Sequence, residues 1–282
     1  MGKMKIVLTL TTIPSRLNSI HSFDIKYCLE SLINQNHDDY EIHLNIPHTY
    51  KRTGETYIIP EWMNKYDTNS KLKVYRTEDY GSITKLIPTL ERLNNDDIMI
   101  VVDDDVVYHP EMINEHIKNR KRWPNYVIGY DGIRSKNEDG SDSTLFGDSR
   151  DHYFTACKTN KFVDIIQHYK SVSYLRKFFD DDFLNFWNTN GVWCDDKTIS
   201  AYLSYKKIAR LVTYYDGDPD FDSHEKWLAG IRHTFPVDKH TSHETQEGCN
   251  LDRKDDSKEI HKKINNLYKF IDGFYIGKTW KI

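Results

Sequence analysis

The first half of the chain alternates between two hydrophobic periods. Lys5 to Leu10 reads as a strand, and Ile20 to Asn34 carries Ile20, Phe23, Tyr27, Cys28 and Leu32 at helical spacing. Tyr40 to Ile46 alternates as a strand does and stops at Pro47. Residues 48–70 are polar and broken, with a short turn at Pro60 to Met63. Lys71 to Tyr75 is a further strand, and Ile83 to Leu93 a helix that tolerates Pro88 only in its first turns or with a kink. Ile98 to Val102 is an uninterrupted, mostly β-branched run, the signature of a strand buried on both faces. Pro110 to Trp123 predicts a helix and Tyr126 to Tyr130 a strand. The order β-α-β-β-α-β predicts an α/β fold with a mostly parallel sheet.

The second half is less regular. Ser135 to Arg150 is rich in Ser, Asp, Asn and Gly and reads as an exposed loop. Lys161 to Tyr169 reads as helical, Thr198 to Lys207 as a helix and Ile208 to Tyr214 as a strand. Ser257 to Phe270 is a polar helix with Ile260, Ile264, Leu267 and Phe270 on one face. With no repeat, low-complexity linker or sharp composition break, residues 1–282 are expected to form a single domain.

Bulk properties narrow the function. A formal charge of −4 with interspersed signs lacks the basic stripe of a nucleic-acid surface. No stretch approaches the ~18 apolar residues of a membrane span. Met1 to Lys5 enters a strand without a signal-peptide pattern. Cys28, Cys157, Cys194 and Cys249 stand far apart and read as reduced thiols in a cytoplasmic protein.

The densest chemistry lies at Asp103, Asp104 and Asp105, directly after the buried strand. Three carboxylates cannot share a dry core, so they require water or a cation. The crevice beyond the carboxyl ends of parallel strands is where such sheets bind ligands. Hard carboxylate oxygens there suit Mg²⁺ or Mn²⁺. Two more loops are expected at that edge. Thr11 to Arg16 (TTIPSR) offers hydroxyls and an Arg suited to bidentate contacts. Thr77 to Lys85 offers Gly81, the start of a helix for an anion, and Lys85.

Asp195 and Asp196 precede a helix and read equally as its N-terminus or as a general base. A second triplet, Asp180 to Asp182, precedes Phe183 to Trp187 and is expected to serve a helix start. Asp216 to Asp222 alternates carboxylates, but Phe221 and Trp227 stand where an EF-hand needs Gly and Glu.

Together TTIPSR, Ser31 to Gln35 (SLINQ), Asp79 to Leu90 (DYGSITKLIPTL) and Val102 to Asp105 resemble nucleotide-sugar-dependent glycosyltransferases of the GT-A fold, a small type found in bacteria and large DNA viruses. The resemblance covers residues 4–130 well and extends loosely to about 210. It implies a Rossmann-like α/β/α sandwich, with residues 1–130 binding the nucleotide-sugar, and 131–282 the acceptor and carrying the C-terminal helix. It implies a nucleotide diphosphate-sugar donor, a UDP-sugar foremost, and Mn²⁺ or Mg²⁺. It makes Asp105 the metal ligand, with Asp103 on the ribose or the metal through water. Thr11, Pro14, Arg16, Asp79, Lys85, Asp103 and Asp104 would line the donor site. Asp196 would be the base of an inverting transfer, with Asp195 beside it.

The acceptor would be a glycan, a protein or a small molecule, in the host cytoplasm if the source is viral. Ser82 stands where that family often has Pro. An expected metal-binding His could be His224, His233, His240 or His243, with His243 preferred. A Mg²⁺-dependent nucleotidyltransferase is the nearest rival, although TTIPSR lacks its glycines. A carbohydrate-binding protein on a decayed transferase fold is the other.

Overall fold

A computed structural model describes residues 4–18, 23–134, 160–191, 195–213 and 258–271. At its centre is an eight-stranded sheet of order β5-β2-β1-β6-β11-β7-β12-β9. The strands are β1 (Ile6–Thr11), β2 (Glu41–Pro47), β5 (Leu72–Thr77), β6 (Ile98–Val101), β7 (Val127–Gly129), β9 (Lys161–Phe162), β11 (Val172–Leu175) and β12 (Arg210–Val212). Parallel pairing joins β5, β2, β1 and β6, and again β7 and β12. Only β11 and β9 run the other way. Two small antiparallel pairs complete the strands: β3 (Thr49–Tyr50) with β4 (Glu55–Thr56), and β8 (Gly132–Ile133) with β10 (Ile165–Ile166).

Successive strand residues face opposite sides of a sheet. In β6, β7, β11 and β12 every residue is buried, as is Ile6 to Leu10 of β1, so both faces of the sheet are covered at its centre. This is the mostly parallel, Rossmann-like α/β/α arrangement expected from the sequence. The covering helices include α1 (Pro14–Asn18), α2 (Phe23–Ile33), α3 (Ile87–Leu90), α4 (Met112–Arg122), α5 (Asp182–Asn190) and α6 (Asp195–Tyr205). Leu29 and Leu32 of α2, Ile113 of α4, and Ile199 and Leu203 of α6 join the sheet in one core. Each such side chain contributes about 1.5–3 kcal/mol. A further helix, Lys258–Ile271, buries Leu267 and Ile271 against Ala201 of α6. Among the described residues no helix is long and apolar enough to cross a membrane.

Three expectations change. Lys161 to Tyr169 is not a helix: it forms β9, β10 and a 3₁₀ turn, His168–Lys170. Phe162, Ile165, Ile166 and Tyr169 have helical spacing, but antiparallel pairing with β12 and β8 overrides that local pattern. Next, β11 had no counterpart in the expected elements, yet it lies between β6 and β7 at the middle of the sheet. Finally, the helix from Ile83 is broken. A 3₁₀ turn, Gly81–Lys85, is followed by the one-turn α3, with Pro88 in its first turn, where a missing amide hydrogen costs nothing. Residues 135–150, Asp216 to Asp222 and His224, His233, His240 and His243 lie outside the described residues.

Two buried histidines give the fold a pH dependence. His43 on β2 sits against Glu41, and His116 on α4 against Ser171 Oγ at 2.8 Å. Burial pushes them from 6.5 down to about 4 and about 3, respectively. Both stay neutral when folded and take up protons on unfolding. Their contribution is therefore complete above pH 6.5 and lost as pH falls toward 4. Two protons give a slope of up to about 2.7 kcal/mol per pH unit. Urea unfolding at pH 7, 6 and 5 should show stability falling, with His116→Gln roughly halving the slope. A flat profile would refute this.

Candidate active site

The carboxyl ends of β1, β5, β6 and β7 share one edge of the sheet. Because β11 runs opposite, its start lies there too: Val172 pairs with Val101 and with Gly129. The turn His168–Lys170 before β11 is thereby carried to the same edge as the aspartate triplet. At this edge Asp103, Asp104, Asp105, Asp195 and Asp196 meet Arg16, Lys85 and His168.

Each triplet member has its own partner. Asp104 turns inward, accepting Thr12 Oγ1 at 2.6 Å and pairing closely with Arg16, which ties the β1 loop to the β6 loop. Arg16 also reaches Asp105 at 3.3 Å. Asp103 pairs with Lys85 at 2.7 Å and is the most open of the three, its side chain 27% exposed. The Asp103 amide donates to Tyr108 Oη at 2.8 Å. Ser31 and Gln35, from the SLINQ motif, fix the following loop. Ser31 Oγ accepts the Tyr108 amide, while Gln35 bonds His109 O and the Ile113 amide.

Lys85 links the triplet to the acidic pair. Its Nζ lies 2.7 Å from both Asp103 and Asp195 and is almost wholly buried. Burial works against its charge, but Asp103, Asp195 and Asp196 hold its pKa well above the usual lysine range. Asp195 and Asp196 begin α6, two carboxylates in the first turn where the helix dipole favours them. Their oxygens nevertheless reach outward, Asp195 to Lys85 and His168, Asp196 to His168. Despite burial, Lys85 and His168 keep Asp195 well below the carboxylate range, whereas burial and Asp195 push Asp196 up. Burial disfavours the charge of His168 as well, yet Asp196 and Asp195 raise it to about 9.

The other expected residues lie around this cluster. Thr11 Oγ1 bonds Asn45 O at 2.8 Å, and Pro14 is buried at the start of α1. Asp79 accepts amide hydrogens from Lys51 on one oxygen and Gly81 on the other, at 2.8 and 2.7 Å, joining the β3–β4 hairpin to the 3₁₀ turn. Gly81 has φ of +71°, a left-handed conformation that favours glycine. The second triplet is structural: Asp180 accepts the Asp182 amide and Tyr202 Oη and pairs with Lys206.

Sequence reasoning missed His168. It stands in a segment whose spacing mimics a helix, and only the reversed β11 brings it to Asp196. Tyr174, which meets His168 Nε2 at 2.7 Å, was missed for the same reason.

The donor set suits a divalent cation. The linked ion pairs join five carboxylates to three cationic groups, a formal surplus of two negative charges. The raised pKa values of Asp104 and Asp196 reflect that surplus as well as burial. Asp103 and Asp105 present hard oxygens. A second candidate group is His168, Asp195 and Asp196, whose ligating atoms lie within 4.8 Å of one another.

No protein-family model matches the chain, and no curated protein sequence does. Solved structures do. S. aureus TarS 1–349 is 14% identical at a TM-score of 0.41, covering 73% of this chain and 56% of that one. The mannosyltransferase PcManGT from Pyrobaculum calidifontis, solved in complex with GDP-Man and Mn²⁺, is 13% identical at 0.46, covering 76% and 56%. A 4-diphosphocytidyl-2C-methyl-D-erythritol synthase is 9% identical at 0.44, covering 78% and 91%. The chain spans about half the length of the first and second of these. A glycosyltransferase is thus among the structures it is similar to, and at TM-scores below 0.5 the likenesses carry no inference about activity.

Proposed function

We propose that the chain is a metal-dependent glycosyltransferase that moves a sugar from a nucleotide diphosphate-sugar, a UDP-sugar foremost, to an acceptor hydroxyl with inversion. The observation that carries this reading is the charged cluster at the carboxyl edge. There a carboxylate triplet lies one lysine away from a second acidic pair, and the five carboxylates together outnumber their cationic partners by two. The first suits a cation and a diphosphate, and the second suits deprotonation of an attacking hydroxyl.

Asp103 and Asp105 would hold Mn²⁺ or Mg²⁺. When bound, the cation would act as a Lewis acid on the leaving diphosphate. Arg16 and Lys85 add positive charge beside it, and Thr11, Pro14, Asp79 and Asp104 shape the donor site around them. Asp196 takes the acceptor proton, and Asp195 keeps Lys85 in place beside the base. The acceptor oxygen then bonds the anomeric carbon from the face opposite the departing diphosphate.

Calorimetric titration with UDP-, GDP- and TDP-sugars in Mn²⁺ should find one donor. Asp105→Ala should weaken its metal-dependent binding tenfold or more. Nucleoside diphosphate should be released from that donor. Release of pyrophosphate from a nucleoside triphosphate would point to a nucleotidyltransferase, and no binding to any donor with either metal would end the proposal.

A further inference from the structure

His168 is fully buried, and two of its nitrogens converge on one carboxylate oxygen. The backbone amide of His168 lies 3.2 Å from Asp196 Oδ1, and its ring Nδ1 makes a very short contact with the same atom. Ring Nε2 meets Tyr174 Oη, itself buried on β11. Asp196 is thus held from below by one oxygen only. Its Oδ2 has no hydrogen-bond partner among the described residues, and the side chain is 23% exposed. A carboxylate fixed at one oxygen and open at the other has a defined direction, because rotation about its side chain would break both contacts to Oδ1. Asp195 does not share this arrangement. It is nearly buried, and its Oδ2 is taken by Lys85 and by His168 at 3.3 Å.

We propose that His168 is a positioning residue that clamps Asp196 through Oδ1 and aims Oδ2 at the acceptor hydroxyl, with Tyr174 fixing the imidazole from behind. The inference rests on the reading of Asp196 as base. In the step it serves, the acceptor O–H bond breaks and its proton goes to Asp196 Oδ2. The acceptor oxygen bonds the anomeric carbon, and the carbon–oxygen bond to the diphosphate breaks, its electron pair leaving with the diphosphate. His168 neither gains nor loses a proton overall. Misdirecting a base by a fraction of an ångström lowers turnover without touching the donor's binding.

The test uses hydrolysis of the donor selected in the titrations, with water as the acceptor, on the full chain. His168→Ala should lower kcat about 10- to 100-fold, in keeping with the worth of an oriented base. The KM for the donor should stay within about twofold, as expected when an interaction made only in the transition state is lost. His168→Asn, which keeps an N–H near the Nδ1 position, should recover most of the rate, and Tyr174→Phe should fall between.

Affinity for Mn²⁺ alone, measured by paramagnetic resonance, should be the same in all four proteins. Loss of Mn²⁺ binding in His168→Ala would make His168 a metal ligand and overturn the proposal. So would wild-type kcat in His168→Ala while Asp196→Asn is inactive, or a deficit in His168→Asn as deep as in His168→Ala with both variants folded. If wild type hydrolyses no donor, the transferase reading and this one fall together, which separates that failure from the others.

Discussion

Asp196→Asn is expected to lower turnover by about 10²- to 10⁴-fold, the range lost with a general base. The substitution is nearly isosteric. The Asn carbonyl oxygen can still accept the His168 amide and ring contacts that hold Asp196 Oδ1. What it removes is the basic lone pair on the exposed oxygen, so the fold and the donor site should survive. Donor affinity should therefore stay within about twofold, and kcat and kcat/KM should fall together. Asp195→Asn should behave differently, because Asp195 is the partner of both Lys85 and His168. Its loss should act on stability and donor binding as well as on rate. The check is nucleoside diphosphate release for both variants, with calorimetric donor binding beside it. Wild-type turnover in Asp196→Asn would reduce the residue to a helix terminus and return a retaining mechanism to consideration.

The parallel half of this site was legible because a strand buried on both faces has a distinct sequence. Ile98 to Val102 shows it without interruption, and the edge rule then places whatever follows in a ligand crevice. TTIPSR and the Asp79 to Lys85 loop arrive at that edge by topology alone, and the structure joins both to the triplet through Arg16 and Lys85. The reversed strand was not legible. Four residues, Val172 to Leu175, carry no period that tells strand from loop. Their place in the sheet is set by pairing with β6 some seventy residues earlier. His168 and Tyr174 therefore escaped notice, although His168 stands four residues before that strand and Tyr174 on it. The role of Asp104 was also hidden. Position in a triplet does not reveal which carboxylate turns inward to bind Thr12 and Arg16 and which stays open to solvent.

Lys85→Met should cost about 3–5 kcal/mol of stability, the usual penalty for stripping one partner from a buried ion pair. Its Nζ is shared between Asp103 and Asp195, and both the ammonium and Asp195 are nearly out of reach of water. Met fills similar volume, so the loss is electrostatic rather than a cavity. The variant leaves five carboxylates against Arg16 and His168, a surplus of three negative charges. Two consequences separate this account from a simple packing defect. First, Asp195 owes its depressed pKa in large part to Lys85. That contribution to stability is present above the ordinary carboxylate pKa and lost as pH falls. The gap between variant and wild type should therefore narrow on acidification, whereas a packing defect would keep it constant. Second, a divalent cation that binds only the folded state stabilises by mass action, and a deeper charge surplus binds it more tightly. Added Mn²⁺ should thus raise the Tm of Lys85→Met more than that of wild type. Equal Tm values without metal would show that Lys85 does not hold the triplet and the acidic pair together, and with them the electrostatic link between the two carboxylate groups would be lost.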